Sequence, residues 1–211
     1  MIDYLRDPKE IYRRSFAAIR AECDLTRLPA DLAPVALRLV HACGMPDIID
    51  DLAYSPEAAA AGRNALQAGA VVVCDSAMVA QGIQRRLLPR NNQVVCTLDD
   101  SATAGRAATE RTTRAAAAVA AWAPHLADAV VAIGNAPTAL YRLLEELDME
   151  APRPAVILGF PVGFIGAAES KAALAADSRG VPFITLHGRR GGSALAAAAV
   201  NALCGNPEDG P

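Results

Sequence analysis

The sequence is poor in aromatic residues, in lysine and in any grouping of cysteines. Aromatic residues make up 4% of the 211 residues, and two lysines stand against 18 arginines. Its five cysteines form no CxxC pair and no Cys/His cluster, so neither a zinc site nor a disulfide framework is indicated. An uninterrupted apolar run of about 18 residues is absent, which excludes a hydrophobic spanning helix. The N-terminus lacks the apolar core of a signal peptide, so we expect a cytoplasmic protein.

Alanine and other apolar residues dominate what is present. The chain has 47 alanines, is 53% hydrophobic and carries a formal net charge of −3. This composition excludes disorder, and a pI near 5.6 provides no global basic field for nucleic acid. The arginine excess reflects either codon usage or recognition of carboxylate or phosphate groups by the planar guanidinium. With few aromatic anchors, a homo-oligomeric interface is a way to bury more surface.

Apolar runs and helical stretches alternate after residue 70. The runs are rich in β-branched residues and apolar throughout, which is typical of strands buried on both faces. They lie at 71–74, 94–98, 130–133, 155–158 and 182–186, and the helical stretches at about 77–87, 105–122, 137–149, 167–177 and 192–203. The pattern predicts an α/β fold with three layers, in which a parallel sheet of about five strands has flanking helices.

The first 70 residues predict an N-terminal helical segment. Three helical stretches, near 8–23, 30–43 and 55–68, are separated by proline and glycine. We expect these helices to pack as a layer on the α/β body. The whole of 1–204 is then one domain, and 205–211 is predicted to be a flexible tail.

Glycine-rich loops follow three of the predicted strands, at 134–138, 159–171 and 188–193. In open α/β sheets, ligands bind beyond the carboxyl ends of the strands. None of these loops matches the GxGxxG or Walker A pattern, which argues against a nucleotide-binding enzyme without removing that alternative. Their amides, together with Asn135, Thr138, Arg189 and Ser193, are candidates for binding a ligand with several carboxylates. Glycines that merely permit tight turns are the alternative explanation.

His41 is the histidine whose position suggests acid–base chemistry. It lies in the last predicted turn of a helix that Gly44 ends. The negative end of the helix dipole favours imidazolium there, which suits a general acid. A simple helix-capping role is the alternative, because histidines often occur at helix ends for that reason.

Five motifs follow one another along the chain. They are Tyr4-Leu5-Arg6-Asp7-Pro8 with Ile11–Phe16, Val40-His41-Ala42-Cys43-Gly44, Ala132–Leu140, Gly159–Lys171 and Gly188–Ala194. In this order they resemble the precorrin-8X methylmutase family of cobalamin biosynthesis, and the resemblance covers residues 3–204. The family's reaction moves a methyl group from carbon 11 to carbon 12 of the corrinoid ring without a cofactor. The product is hydrogenobyrinic acid, or cobyrinic acid from the cobalt-containing substrate, and the sequence leaves this choice open.

The resemblance also implies roles for particular residues. His41 matches the family's proton donor and acceptor, and no metal ligand is expected. Ser15 and Arg114 match positions that line the substrate site, which in the family lies at a homodimer interface. Near position 84 some members have a hydroxyl residue, whereas this chain has Gln84. A non-catalytic corrinoid-binding or carrier protein is the alternative to an isomerase.

Overall fold

The computed structural model describes residues 2–205, and one six-stranded sheet runs through them. The strand order is β1-β6-β5-β4-β2-β3, and every neighbouring pair is parallel except β1 with β6. The strands are β1 Leu52–Tyr54, β2 Val72–Cys74, β3 Val94–Val95, β4 Val130–Ile133, β5 Val156–Gly159 and β6 Phe183–Leu186. The predicted α/β fold is confirmed, with one strand more than expected. Most of the predicted tail, 206–211, lies outside the described residues.

The helices agree with the predicted stretches except at 77–87 and 105–122. They are α1 Pro8–Glu22, α2 Ala33–Cys43, α3 Ala58–Ala68, α4 Ala77–Gly82, α5 Ser101–Glu110, α6 Arg114–Val119, α7 Ala123–Leu126, α8 Pro137–Asp148, α9 Ala167–Ala176 and α10 Ser193–Leu203. The single helix predicted at 105–122 is wrong. Arg111 ends α5 with a left-handed φ of 52°, and the Thr113 side chain accepts a hydrogen bond from the Ala116 amide to begin α6.

Strand β1 was not predicted, because three half-buried residues give too short an apolar run. Leu52 pairs with Leu186 and Tyr54 with Ile184, which places β1 antiparallel at one edge of the sheet. The N-terminal region is therefore not purely helical. It contributes an edge strand as well as the three helices that were expected.

Alternate residues of the central strands face two separate hydrophobic cores. Val72 faces the core formed with α2, α3, α4 and α10, whereas Val73 faces the core formed with α6 to α9. Small residues let the first group of helices pack closely. Gly82 of α4 faces Ala197 of α10, and a Cβ at Gly82 would lie only 2.7 Å from the Ala197 Cβ. In the second core Trp122 is fully buried, and its indole N–H donates to the Thr97 hydroxyl at 3.1 Å. Within 2–205, no helix combines the length and the apolarity needed to cross a membrane.

Candidate active site around His41

His41 occupies the last turn of α2, as the sequence predicts. Gly44 ends this helix with a left-handed φ of 68°, and its amide donates to the Val40 carbonyl at 2.8 Å. Glycine adopts this conformation without the Cβ strain that other residues meet. The helix therefore ends within one turn of His41, whose ring is partly accessible.

Helix α1 holds the imidazole in place. The Ser15 Oγ lies 3.0 Å from the His41 Nδ1, within hydrogen-bond distance. The rings of Tyr12 and Phe16 tilt against the imidazole, with centroids 5.4 and 4.9 Å from it. Ser15 and Phe16 lie three and four residues after Tyr12, so the three side chains share one side of α1. One helix face thus fixes both the plane of the ring and the partner of Nδ1, which leaves Nε2 for a reaction.

Arg38 lies one turn before His41 and was not identified from the sequence. The residue is only 6% exposed, and its guanidinium carbon lies 5.8 Å from the centroid of the Phe16 ring. Its Nε has no hydrogen-bond partner among the described residues. Buried polar atoms are nearly always paired, so an unpaired one calls for an explanation. The available signal was a lone arginine within the otherwise apolar segment that precedes His41.

Burial and the Arg38 charge together lower the pKa of His41. The helix dipole was expected to favour imidazolium, but these two effects act in the opposite direction. Burial removes water from the charged form, and a nearby cation repels a second positive charge. The free protein therefore holds His41 mainly as neutral imidazole at neutral pH.

His41 opens on to a groove of about 290 Å³. This groove is lined by Tyr12, Arg38, His41, Ala42, Gly82, Gln84, Ala194, Ala197, Ala198 and Asn201. A second cavity, of about 230 Å³, meets His41 from the side of Ser15 and Glu22. The imidazole thus lies between two open spaces. It can exchange a proton with a ligand in the groove while Ser15 contacts it from the other side.

The amides of the loop after β4 are already bonded within the protein. The buried Asp75 carboxylate accepts hydrogen bonds from the amides of Gly134, Asn135 and Ala136 at 2.9, 2.9 and 2.8 Å. Burial nevertheless raises the pKa of Asp75. The prediction that these amides are free for a ligand is wrong, because a carboxylate 59 residues away along the chain takes the first of them.

Five other predicted site residues lie apart from the His41 groove or at its margin. Arg114 pairs with Asp99 at 2.5 Å, and Thr138 bonds Thr113 at 2.7 Å. Both belong to helices on the opposite side of the sheet from α2. Thr138 lines a separate cleft of about 570 Å³.

Ser193 precedes Ala194 of the groove, but its hydroxyl lies 3.4 Å from that of Ser76. The exposed Arg189 stacks over Phe164, with 5.4 Å between its guanidinium carbon and the ring centroid. Asn135 has an exposed side chain. Of the predicted site residues, only Ser15 touches His41.

The loop after β6 is anchored by charged groups. The Arg190 guanidinium bonds the carboxylates of Asp47 and Asp51 at 2.7 and 2.5 Å. The Lys171 ammonium is fully buried and donates to the Arg190 carbonyl. Its burial lowers its pKa to about 8. Arg190 is therefore engaged within the chain rather than free for a ligand.

Within 2–205, no three acidic, histidine or cysteine side chains come together in a way that could hold a metal ion. The five cysteines are all free thiols, and Cys74 is the one that is fully buried.

Known proteins resemble this chain over nearly its whole length. The family described as CbiC, precorrin-8X methylmutase, matches residues 10–205. A precorrin-8X methylmutase of Pseudomonas aeruginosa is 61% identical, with 96% of this chain and 98% of that protein covered. A cobalt-precorrin-8 methylmutase of Priestia megaterium is 33% identical, with 93% and 87% covered. The crystal structure of precorrin-8X methylmutase from Thermus thermophilus superposes with a TM-score of 0.85 at 37% identity, with 95% and 97% covered.

Proposed function

This chain belongs to the precorrin-8X methylmutase family of cobalamin biosynthesis, and on that basis we propose that it moves the C11 methyl group of precorrin-8X to C12. The bond from the methyl carbon to C11 breaks, and a bond to C12 forms. Substrate and product have the same composition, so the reaction needs no co-reactant. The observation that carries the proposal is the partly exposed His41, which Ser15 and two aromatic rings hold at the mouth of a groove.

In this mechanism His41 donates a proton to the conjugated ring and takes it back after the migration. Protonation withdraws electrons from the ring system, which weakens the bond to the migrating methyl group. The lowered pKa of His41 makes its imidazolium a stronger acid. It also means that the imidazole is neutral in the free protein. The imidazole must therefore gain its proton as the substrate binds.

Arg38 supplies a way to change the charge of His41 on binding. A substrate carboxylate beside the Arg38 guanidinium offsets the positive charge that lowers the pKa of His41. The same carboxylate accepts a charge-assisted hydrogen bond from the Arg38 guanidinium, since Arg38 lines the groove. Substrate binding then raises the pKa of the imidazole and places the proton where the reaction uses it. Ser15 keeps Nδ1 engaged, so that Nε2 faces the ring.

We propose metal-free precorrin-8X as the substrate. Two relatives named precorrin-8X methylmutase, from Pseudomonas aeruginosa and Sinorhizobium, are 61% and 55% identical to this chain. Relatives named cobalt-precorrin-8 methylmutase, such as those of Priestia megaterium and Salmonella typhimurium, are 33% and 35% identical. Faster turnover of the cobalt-containing ring than of the metal-free ring contradicts this assignment.

A homodimer with the site near its interface is part of the proposal. The groove of about 290 Å³ is slightly smaller than the usual ligand pocket, which measures about 300 Å³ or more, and a substituted macrocycle extends beyond it. A second copy then covers the exposed side of the ring. Arg114 and Thr138 face away from His41 in one chain, so as substrate-binding residues they would have to come from the partner copy. We also propose a cytoplasmic location.

The test is to incubate the purified protein with precorrin-8X and follow the visible spectrum. We expect conversion to hydrogenobyrinic acid, and His41→Ala to lower kcat by about 100-fold or more, the usual size of general acid–base catalysis. The matched control is His187→Ala, because His187 is exposed and lies outside the groove. Pigment binding with an unchanged spectrum would instead identify a carrier.

A further inference from the structure

One face of α10 forms the floor of the His41 groove, and its side chains there are small. Ala194, Ala197, Ala198 and Asn201 line the groove at spacings of three and four residues. These spacings place the four residues on one face of the helix. Ala194 is exposed, whereas Ala197, Ala198 and Asn201 are only 3%, 6% and 6% exposed. The floor is therefore a narrow surface of small side chains that opens towards Ala194.

The wall opposite α2 is also held close to this floor. Gly82 ends α4 so near to α10 that a Cβ would lie 2.7 Å from the Ala197 Cβ. The Asn201 side chain donates to the Gly82 carbonyl at 3.0 Å and accepts from the Gln84 amide at 2.9 Å. Its amide is thus bonded within the protein and fixes the turn at 82–84. Floor and wall are a rigid unit with little side-chain bulk.

A buried, unpaired polar atom marks the same groove as a binding site. Arg38 is 6% exposed and lines the groove, and its Nε lacks a partner among residues 2–205. Small side chains alone would be a consequence of close helix packing. Together with the unpartnered Nε of the buried Arg38 beside them, they describe a space built for a ligand that is flat, apolar on its face and anionic at its edge.

We propose that Ala194, Ala197 and Ala198 are specificity-determining residues, on which one face of the macrocycle rests. This inference rests on the proposed function and adds residues to that site. Methyl groups make dispersion contacts with a flat conjugated face and leave its edge carboxylates free to reach Arg38. The size of these three side chains then sets how closely the ring approaches His41. Such a floor needs no aromatic stacking platform, in keeping with the 4% aromatic content of the chain.

The experiment titrates hydrogenobyrinic acid into the purified full-length protein and follows its visible absorbance. We expect Ala194→Leu and Ala198→Leu each to weaken binding by at least tenfold, because the leucine side chain fills the space of the ring. Ala194→Gly is expected to bind as the wild type does. The matched control is Ala172→Leu, an exposed alanine on α9, which packs against the other core.

Ala194 is exposed, so its leucine variant can be compared with the wild type even if Ala198→Leu disturbs packing. If the wild-type protein binds the pigment and Ala194→Leu binds it equally tightly, the inference is overturned and the proposed function stands. A wild-type protein that binds no pigment overturns both. Binding by His41→Ala without turnover, together with loss of binding in Ala194→Leu, supports both and separates the floor from the acid.

Discussion

Arg38 and His41 lie three residues apart on α2, and the Arg38 charge acts with burial to lower the pKa of the His41 imidazole. A ligand carboxylate beside Arg38 removes one of these two causes. The charge state of the imidazole is therefore coupled to occupation of the groove.

The first prediction is that ligand binding raises the pKa of His41. Titration of the His41 ring protons by NMR should give a value below about 6.5 in the free protein and a higher value with hydrogenobyrinic acid bound. An acid-catalysed kcat/KM should then fall as pH rises through the lower value, while kcat persists to higher pH. In Arg38→Gln the free value should rise and the ligand-induced shift should shrink. Equal values in free and bound wild-type protein would contradict the coupling.

The second prediction is that Ser15 positions the imidazole. Ser15→Ala removes the hydroxyl 3.0 Å from Nδ1, and we expect kcat to fall by about tenfold, which corresponds to one hydrogen bond of about 1.4 kcal/mol. Affinity for hydrogenobyrinic acid should change little, and Ser15→Thr should recover part of kcat. Ser101→Ala, at an exposed position in α5, is the control. A raised KM with unchanged kcat would show that Ser15 binds the substrate instead.

The third prediction concerns the three amides that bond Asp75. Asp75→Ala leaves the buried or partly buried amides of residues 134–136 without their acceptor. Unsatisfied buried donors cost about 1 to 3 kcal/mol each, so we expect a loss of at least about 3 kcal/mol in the free energy of unfolding. Urea denaturation measures this loss, with Asp3→Ala in the exposed N-terminal segment as the control. A loss below about 1 kcal/mol would mean that water replaces the carboxylate.

The fourth prediction is a dependence of stability on pH that comes from Lys171. Its pKa is about 8 in the folded protein, whereas an unfolded lysine titrates at about 10.4. Between these values the unfolded chain binds the additional proton, so the free energy of unfolding rises with pH, by up to about 1.4 kcal/mol per pH unit. The stability gained when Lys171 is neutral is lost as pH falls through about 8. Comparison of the wild type with Lys171→Met from pH 7 to 11 measures it, and a constant difference between the two proteins contradicts it.

Much of the fold could be predicted because the central strands are apolar at every position. Residues buried on both faces give continuous runs, such as Val130–Ile133, that stand out without any knowledge of their neighbours. Strand β1 has three half-buried residues and depends on β6 for its hydrogen bonds, so nothing local indicated it. The break between α5 and α6 depends on Thr113 capping a new helix, a local signal that the alanine-rich pattern concealed.

The site could be predicted only in part, because some of its features are local in sequence and others depend on distant residues. Gly44 marks the end of α2 and so gives His41 its position, and this signal is local. The unpartnered Nε of Arg38 and the bonding of the Gly134 amide by Asp75 are long-range facts that no spacing in the sequence contains. Sequence patterns predict which groups a loop offers, but not whether the fold has already used them.

Asp75 follows β2 and the amides that it bonds follow β4, and these neighbouring strands lie where the chain's course across the sheet reverses. In doubly wound proteins this crevice receives the ligand. Here the anion in it is tethered to the chain, and its effective concentration far exceeds that of a dissolved phosphate. The sheet is thus of the kind that binds nucleotides in other proteins. In this protein the Asp75 carboxylate occupies the position where such a ligand's anionic group would bind. The ligand site can then lie in the helical layer instead, with no change in the order of the strands.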